Sequence, residues 1–133
     1  MKLLLVEDEP SSRVLLGQLL AQYGSLSIAE DGEEGIEQFR LAFDAGAPYD
    51  VVFLDIVMPK LNGRDVLRAI RSIEEQSGIV GLDGVKVIMT TALEDADNVL
   101  GAFREGCEAY LVKPVDQKAL SSLLEGFGFH AAQ

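Results

Sequence analysis

The chain has 133 residues, 48% of them apolar, which suits one compact domain and leaves little room for a second. Asp and Glu outnumber Lys and Arg by 22 to 11, and the formal charge of −11 would repel a phosphate backbone, so no direct nucleic-acid binding is expected. Cys107 is the single cysteine, which rules out an internal disulfide, argues against a cysteine-based metal site and leaves the role of a small buried side chain.

Lys2 to Val6 is an apolar strand candidate that meets Glu7-Asp8-Glu9 at once, too short for a signal peptide or a membrane span. No other window resembles one, so a cytoplasmic protein with no membrane partner is expected. Pro10 suits the first position of a helix, where its missing N–H is not needed. Leu16, Leu19, Leu20 and Tyr23 form one apolar stripe on that helix, and Gly24 is expected to end it. Leu26 to Ala29 reads as a second strand. Asp31-Gly32 then leads into a helix with Ile36, Phe39 and Phe43 on one face.

The Gly46-Ala47-Pro48 breaker precedes Val51-Val52-Phe53-Leu54-Asp55, an uninterrupted apolar run rich in β-branched and aromatic residues that delivers one carboxylate to its tip. After Pro59, Asn62-Gly63 is a turn or cap, and Val66, Ile70 and Ile73 stripe a third helix. Ser77 to Gly84 is the longest loop. Val85 to Thr90 is a fourth strand, followed by a helix with Ala96, Val99, Leu100 and Phe103 in register and a stop near Gly106. Ala109 to Val112 is the fifth strand. Lys113-Pro114 follows it, and Leu120, Leu123, Leu124 and Phe127 stripe the last helix. His130 falls in the Gly-rich tail and is expected at the surface without a role. The domain is therefore expected over residues 1–126, with a short tail over 127–133.

Five strands alternating with five helices call for an α/β fold, a doubly wound parallel sheet with helices on both faces. In such sheets the ligand crevice lies beyond the carboxyl ends of the strands. Glu7 and Asp8, Asp55, Thr91 and Lys113 are the residues sent there. Each has an ordinary alternative: the acids and Asp55 as helix-start or turn formers, Lys113 as surface charge, and Thr91 as the cap in Thr91-x-x-Glu94. Four placements on one edge outweigh the four separate alternatives. Carboxylates about 4 Å apart repel by roughly 4 kcal/mol per pair at an effective dielectric of 20, which a divalent cation would relieve. An all-oxygen donor set favours Mg²⁺ over zinc. A carboxylate beside Mg²⁺, a lysine and a hydroxyl can attack phosphorus and form an aspartyl phosphate. No Gly-x-x-x-x-Gly-Lys-Ser/Thr loop is present, so a nucleotide is not the obvious donor.

The ordered set Leu5-Val6-Glu7-Asp8-Glu9, Leu54-Asp55-Ile56-Val57-Met58-Pro59 with Asn62-Gly63, Thr91-Ala92, Gly106-Cys107-Glu108-Ala109-Tyr110 and Leu111-Val112-Lys113-Pro114 resembles the response-regulator receiver domain of two-component signalling. The resemblance spans nearly the whole chain. It implies a flavodoxin-like (βα)5 fold with strand order 2-1-3-4-5. It also implies that Asp55 accepts a phosphoryl group from a phosphohistidine on a sensor histidine kinase or histidine phosphotransfer protein. Mg²⁺ would be bound directly by Asp8 and Asp55, by the Val57 main-chain carbonyl, and through water by Glu7. Lys113 would pair with the phosphoryl group, and the Lys113–Pro114 peptide would be cis. Thr91 would move toward the phosphate and Tyr110 would swing inward, reshaping the surface of helix four, strand five and helix five. Tyr110 as an ordinary core tyrosine with a wet hydroxyl is the alternative.

Such a protein is a signalling phosphoacceptor and no enzyme beyond its own phosphotransfer and dephosphorylation. The residues after the fifth helix are too few for an output domain, so it is expected to act by docking on a downstream protein target; a phosphorylation-dependent dimer is an open alternative. The long Ser77 to Gly84 loop and the lack of a proline opening strand four depart from the common pattern. Val57 and Leu93 are apolar at positions that in the family influence phosphate lifetime. Two other readings remain: a Mg²⁺-dependent phosphohydrolase, which lacks a second acid two residues after Asp55, and a binding module that never accepts phosphate.

Overall fold

The central strands bury both their faces and the edge strands only in part, and the computed structural model describes residues 1–80, 83–92 and 97–130. Strands β1 (Lys2–Val6), β2 (Ser25–Ala29), β3 (Val51–Asp55), β4 (Lys86–Thr91) and β5 (Ala109–Val112) pair in parallel in the order β2-β1-β3-β4-β5. Helices α1 (Pro10–Leu20), α2 (Gly32–Asp44), α3 (Gly63–Gln76), α4 (Asp97–Arg104) and α5 (Gln117–Gly126) connect them. This is the doubly wound flavodoxin-like sheet that the sequence led us to expect.

Successive strand residues point to opposite faces, so the two core layers separate by odd and even positions. Leu4, Val6, Val52, Leu54, Val87 and Met89 pack with Phe39 of α2, with Val66 and Ile70 of α3, and with Val99 and Ala102 of α4. Leu3, Leu5, Val51, Phe53, Ile88 and Leu111 face the other way, onto Leu16 and Leu20 of α1 and Leu120 and Leu124 of α5. Strands buried on both faces need a near-continuous apolar run, which is what β1 and β3 supply.

Helix starts follow local chemistry. Asp31 and Asp116 accept N–H bonds from Glu34 and Ala119, and Asn62 and Asp65 form a reciprocal capping box that starts α3. Directly after Asn62, the Gly63 N–H donates to the Ile56 carbonyl at 2.8 Å, and a Cβ at Gly63 would lie 2.4 Å from the Asp55 carbonyl oxygen. The chain can pass that close to the end of β3 only with a glycine there.

At the opposite edge of the sheet, a buried polar hub joins α3 to the starts of β4 and β5. The Arg71 guanidinium donates to Glu74 and the Val85 carbonyl at 2.7 and 2.9 Å, and to the Gly106 carbonyl and Glu108 at 2.6 and 2.9 Å. Glu74 accepts the Val85 N–H at 2.7 Å, so its buried carboxylate has partners on both sides.

Two expectations need correction, and one alternative falls. Helix α1 ends at Leu20 and not at Gly24; Gly24, at φ +150°, instead passes the Met1 backbone so tightly that a Cβ would sit 2.1 Å from its carbonyl oxygen. The α4 stripe also fails in part. Val99 is buried but Leu100 and Phe103 are 60% and 41% exposed, because the small Ala102 is the residue turned to the sheet. Tyr110 is 44% exposed and stands edge-on to Phe103 at 6.2 Å, so it is no core tyrosine. Phe127 caps α5, and Phe127 and Phe129 lie against the α1–α5 core layer. The Thr91-x-x-Glu94 capping box, Leu93, Ala96, the Gly81-Leu82 part of the long loop and the chain end from residue 131 lie outside the described residues.

Gly63→Ala is expected to destabilise the fold by about 3 kcal/mol, since the new methyl meets backbone that cannot yield. Gly126→Ala, which meets nothing within 4 Å at the end of α5, should instead add about 0.5 kcal/mol. Urea unfolding of the two variants side by side checks the contrast.

Candidate acidic site at the strand ends

Strand register brings the site together. Val6 aligns with Leu54 and Asp55 with Thr90, so Glu7, Asp55 and the end of β4 lie at one level of the sheet. The Lys113 N–H then donates to the Thr91 carbonyl at 2.8 Å just past the end of β5. Glu7, Asp55 and Lys113 continue the odd-numbered alternation of Leu5, Phe53 and Leu111, which aims all three toward the α1–α5 side.

Glu7, Asp8 and Asp55 each offer a carboxylate oxygen within 4.8 Å of the others. Glu7 is fully buried, Asp55 is 6% exposed and Asp8 is half-buried. Lys113 Nζ lies 2.5 Å from Glu7 Oε1 and 3.1 Å from Asp55 Oδ2, the one cation shared by two buried acids. Glu7 Oε1 nevertheless has no aligned hydrogen bond, so its contact with Lys113 is an ion pair by distance alone. Asp55 Oδ1 accepts the Val57 N–H at 3.2 Å. The Lys113–Pro114 peptide is cis.

These surroundings set the titration of the group. Burial, then the Glu7 carboxyl beside it, pushes the Asp55 carboxyl up to about 6 despite Lys113. Burial and the facing Asp55 likewise raise Asp8. Burial works to lower the Lys113 ammonium, but Glu7 and Asp55 overcome it and hold it above its usual value.

Three carboxylates converging on one point, with Lys113 shared between two of them, make an all-oxygen donor set that fits a hard divalent cation. Glu7, Asp8 and Asp55 are the side chains able to hold it. Val57, whose N–H binds Asp55, is itself 52% exposed.

Thr91 is placed differently from the acids. It is buried, but the strand pairing puts Thr90 beside Asp55, and the Thr91 hydroxyl donates to the Ala92 carbonyl at 3.0 Å. It would have to release that bond to reach the carboxylate. Tyr110 stands in the exposed face beside α4, away from the acids.

Glu9, next to the two acids in sequence, has a separate role. Its carboxylate accepts from the Ser11 N–H at 3.1 Å, the Ser12 N–H at 2.6 Å and the Ser11 hydroxyl at 2.7 Å, which pushes it down to about 2 and caps α1. Sequence reasoning missed Arg13, whose guanidinium donates to the Glu7 and Asp8 carbonyls at 3.1 and 3.3 Å and steadies the acidic corner. Its only signal was a cation one turn into a helix that starts just after the acids. Cys107 is buried as expected, and burial followed by Glu108 pushes its thiol up to about 11.

Because the folded Asp55 carboxyl titrates higher than its unfolded value of 3.8, it favours the fold when protonated, and that contribution is lost as pH rises through about 6. Without divalent cations at about pH 7.5, Asp55→Asn is therefore expected to be more stable than wild type by roughly 1–3 kcal/mol, with the gap closing near pH 4. Urea unfolding at the two pH values measures it, and a gap independent of pH would contradict the burial account.

The response regulator receiver domain family matches residues 3–125. Protein PilH of Pseudomonas aeruginosa is 35% identical over 120 residues, covering 90% of each chain. A probable histidine kinase 2 of Oryza sativa is 29% identical over 136 residues, of whose length the match covers 13% and of this chain 95%. Among solved structures, the Saccharomyces cerevisiae complex of the histidine phosphotransfer protein Ypd1 with the receiver domain of Ssk1 matches with TM-score 0.80 and 28% identity, over 96% of this chain and 88% of that one. With the sheet order, the acidic pocket and this family match in agreement, the chain belongs to the response regulator receiver domains, which act as phosphoacceptors in two-component signalling and generally bind Mg²⁺ at an acidic pocket.

Proposed function

We propose that Asp55 is the phosphoacceptor of this chain, taking a phosphoryl group from a phosphohistidine on a histidine kinase or histidine phosphotransfer protein. The observation that carries the reading is the convergence of Glu7, Asp8 and Asp55 within 4.8 Å beside Lys113 at the carboxyl edge of the sheet. A Asp55 oxygen attacks phosphorus, a P–O bond forms, the P–N bond to the donor imidazole breaks, and the electron pair leaves with the nitrogen. Asp55 attacks only when ionised, the form that a divalent cation held beside it would favour.

Asp8 and Asp55 would hold Mg²⁺ directly, with the Val57 carbonyl, and Glu7 would act through water. Bound there, Mg²⁺ neutralises charge on the acids and on the phosphoryl oxygens. Lys113 already faces Asp55 and needs only a small shift to pair with a phosphoryl oxygen on it. Thr91 follows by exchanging the Ala92 carbonyl for another of those oxygens, and Tyr110, now exposed, turns inward. Val57 offers no acid to activate water two residues after Asp55, which disfavours steady phosphate-ester turnover.

A donor of the chemistry that Ypd1 represents for Ssk1 suits the site. The output is docking on a downstream protein through the α4–β5–α5 surface, where Phe103, Tyr110 and Val112 are exposed. Among the described residues no helix is long and apolar enough to cross a membrane.

Incubation with Mg²⁺ and acetyl phosphate, followed by intact-mass measurement, tests the acceptor. A labile phosphoryl adduct is expected in wild type, absent in Asp55→Asn and absent without the metal. Lys113→Met should form it roughly a hundredfold more slowly. An adduct that survives Asp55→Asn would remove Asp55 from the role.

A further inference from the structure

Helix α3 carries Arg64, Arg68 and Arg71 at i, i+4 and i+7, one row along the helix, and all three reach the segment that closes α4. Arg64 Nε donates to Glu105 Oε1 at 2.5 Å, Arg68 Nη1 donates to Glu105 Oε2, and Arg71 holds the Gly106 carbonyl and Glu108. Glu105 directly follows the last residue of α4, and only 18% of its side chain is exposed. Burial works to raise its carboxyl, but Arg64 and Arg68 overcome that and hold it below the usual range. The Arg64 guanidinium also lies against the α4 backbone, where a Cβ at Gly101 would come within 2.5 Å of it.

The helix gripped in this way has little else to fix it. Of its described side chains, Val99 and Ala102 are buried, while Leu100 and Phe103 face solvent. It is also the helix that follows Thr91, whose hydroxyl donates to the Ala92 carbonyl. Gly101 lies against the Arg64 guanidinium, so a shift of α4 relative to α3 acts on that contact and on both Glu105 pairs together.

We propose that Glu105, gripped by Arg64 and Arg68, is a latch that holds α4 in its resting position and so sets how readily modification of Asp55 moves the α4–β5 surface. The proposal rests on the phosphoacceptor reading and adds to it a regulator remote from the acids. Glu105 is a positioning residue and touches no reacting atom. Loosening the latch raises the population of the switched packing, and a ligand that selects that packing then binds more tightly by linkage.

The test titrates beryllofluoride, a non-covalent stand-in for the phosphoryl group, in the presence of Mg²⁺, into wild type, Glu105→Gln, Arg68→Gln and the double variant, with affinity read by calorimetry. Each single variant is expected to bind about threefold to fivefold tighter, and the double variant no tighter than Glu105→Gln alone. The two substitutions change net charge in opposite directions, so a shared tightening cannot be a long-range effect on the anion. Arg68 is half exposed, so its variant keeps the question answerable should Glu105→Gln fail to fold. Unchanged or weaker binding in folded variants overturns the latch while leaving the acceptor reading intact. If wild type binds no beryllofluoride and takes no phosphoryl group from acetyl phosphate, both readings fall together.

Discussion

Two carboxylates buried beside a single ammonium group are the constraint on which the rest of this molecule depends. Glu7 and Asp55 lose most of their hydration and share Lys113: its contact with Glu7 has no aligned hydrogen bond, and the Asp55 carboxyl is pushed up to about 6. A cluster so poorly satisfied costs stability and persists only because the surroundings leave it no room to relax. Those surroundings are two dry core layers beneath the strand ends and a glycine that lets α3 start against the Asp55 carbonyl. The same frustration makes the site responsive, because a cation and a phosphoryl group each supply what the acids and the lysine lack.

The two faces of the sheet divide the work. Glu7, Asp55 and Lys113 turn toward the α1–α5 side, and the cap made by Glu9 together with the Arg13 guanidinium keeps the first acidic corner rigid. Thr91 and α4 belong to the other layer, and Leu100 and Phe103 on α4 remain in solvent. The Thr91 hydroxyl is bound to Ala92. The arginine row along α3 ties α4 back to that helix, with Arg71 as its buried anchor.

Much of this was legible in the residues. β1 and β3 are apolar runs that end in acids, and strand-end placement alone gathered Glu7, Asp8, Asp55 and Lys113. The α4 stripe misled because a period of 3.6 marks which residues share a face without saying whether that face meets the sheet. Ala102, the smallest side chain available, took the inner position, and Phe103 found an edge-on partner in Tyr110 instead. Arg13, Arg64, Arg68 and Arg71 look in sequence like ordinary helix-surface charge. Apart from the i,i+3 pairs Asp65–Arg68 and Arg71–Glu74, the partners named above are main-chain carbonyls and carboxylates 5 to 41 positions away, and no local pattern encodes such pairs.

By itself the sequence determined the alternation of strands and helices, the burial of β1 and β3 on both faces, and the identity of the charged residues at the strand ends, since each follows from side-chain period and chain order. Tertiary structure decided what those residues do to one another. Register put Thr90 rather than Thr91 beside Asp55, separated Glu9 from its two neighbours as a helix cap, left Lys113 shared between two buried acids, and turned three arginines into a clasp on α4. Dehydration and distance fix the energy of a charge, and both arise only when distant segments pack.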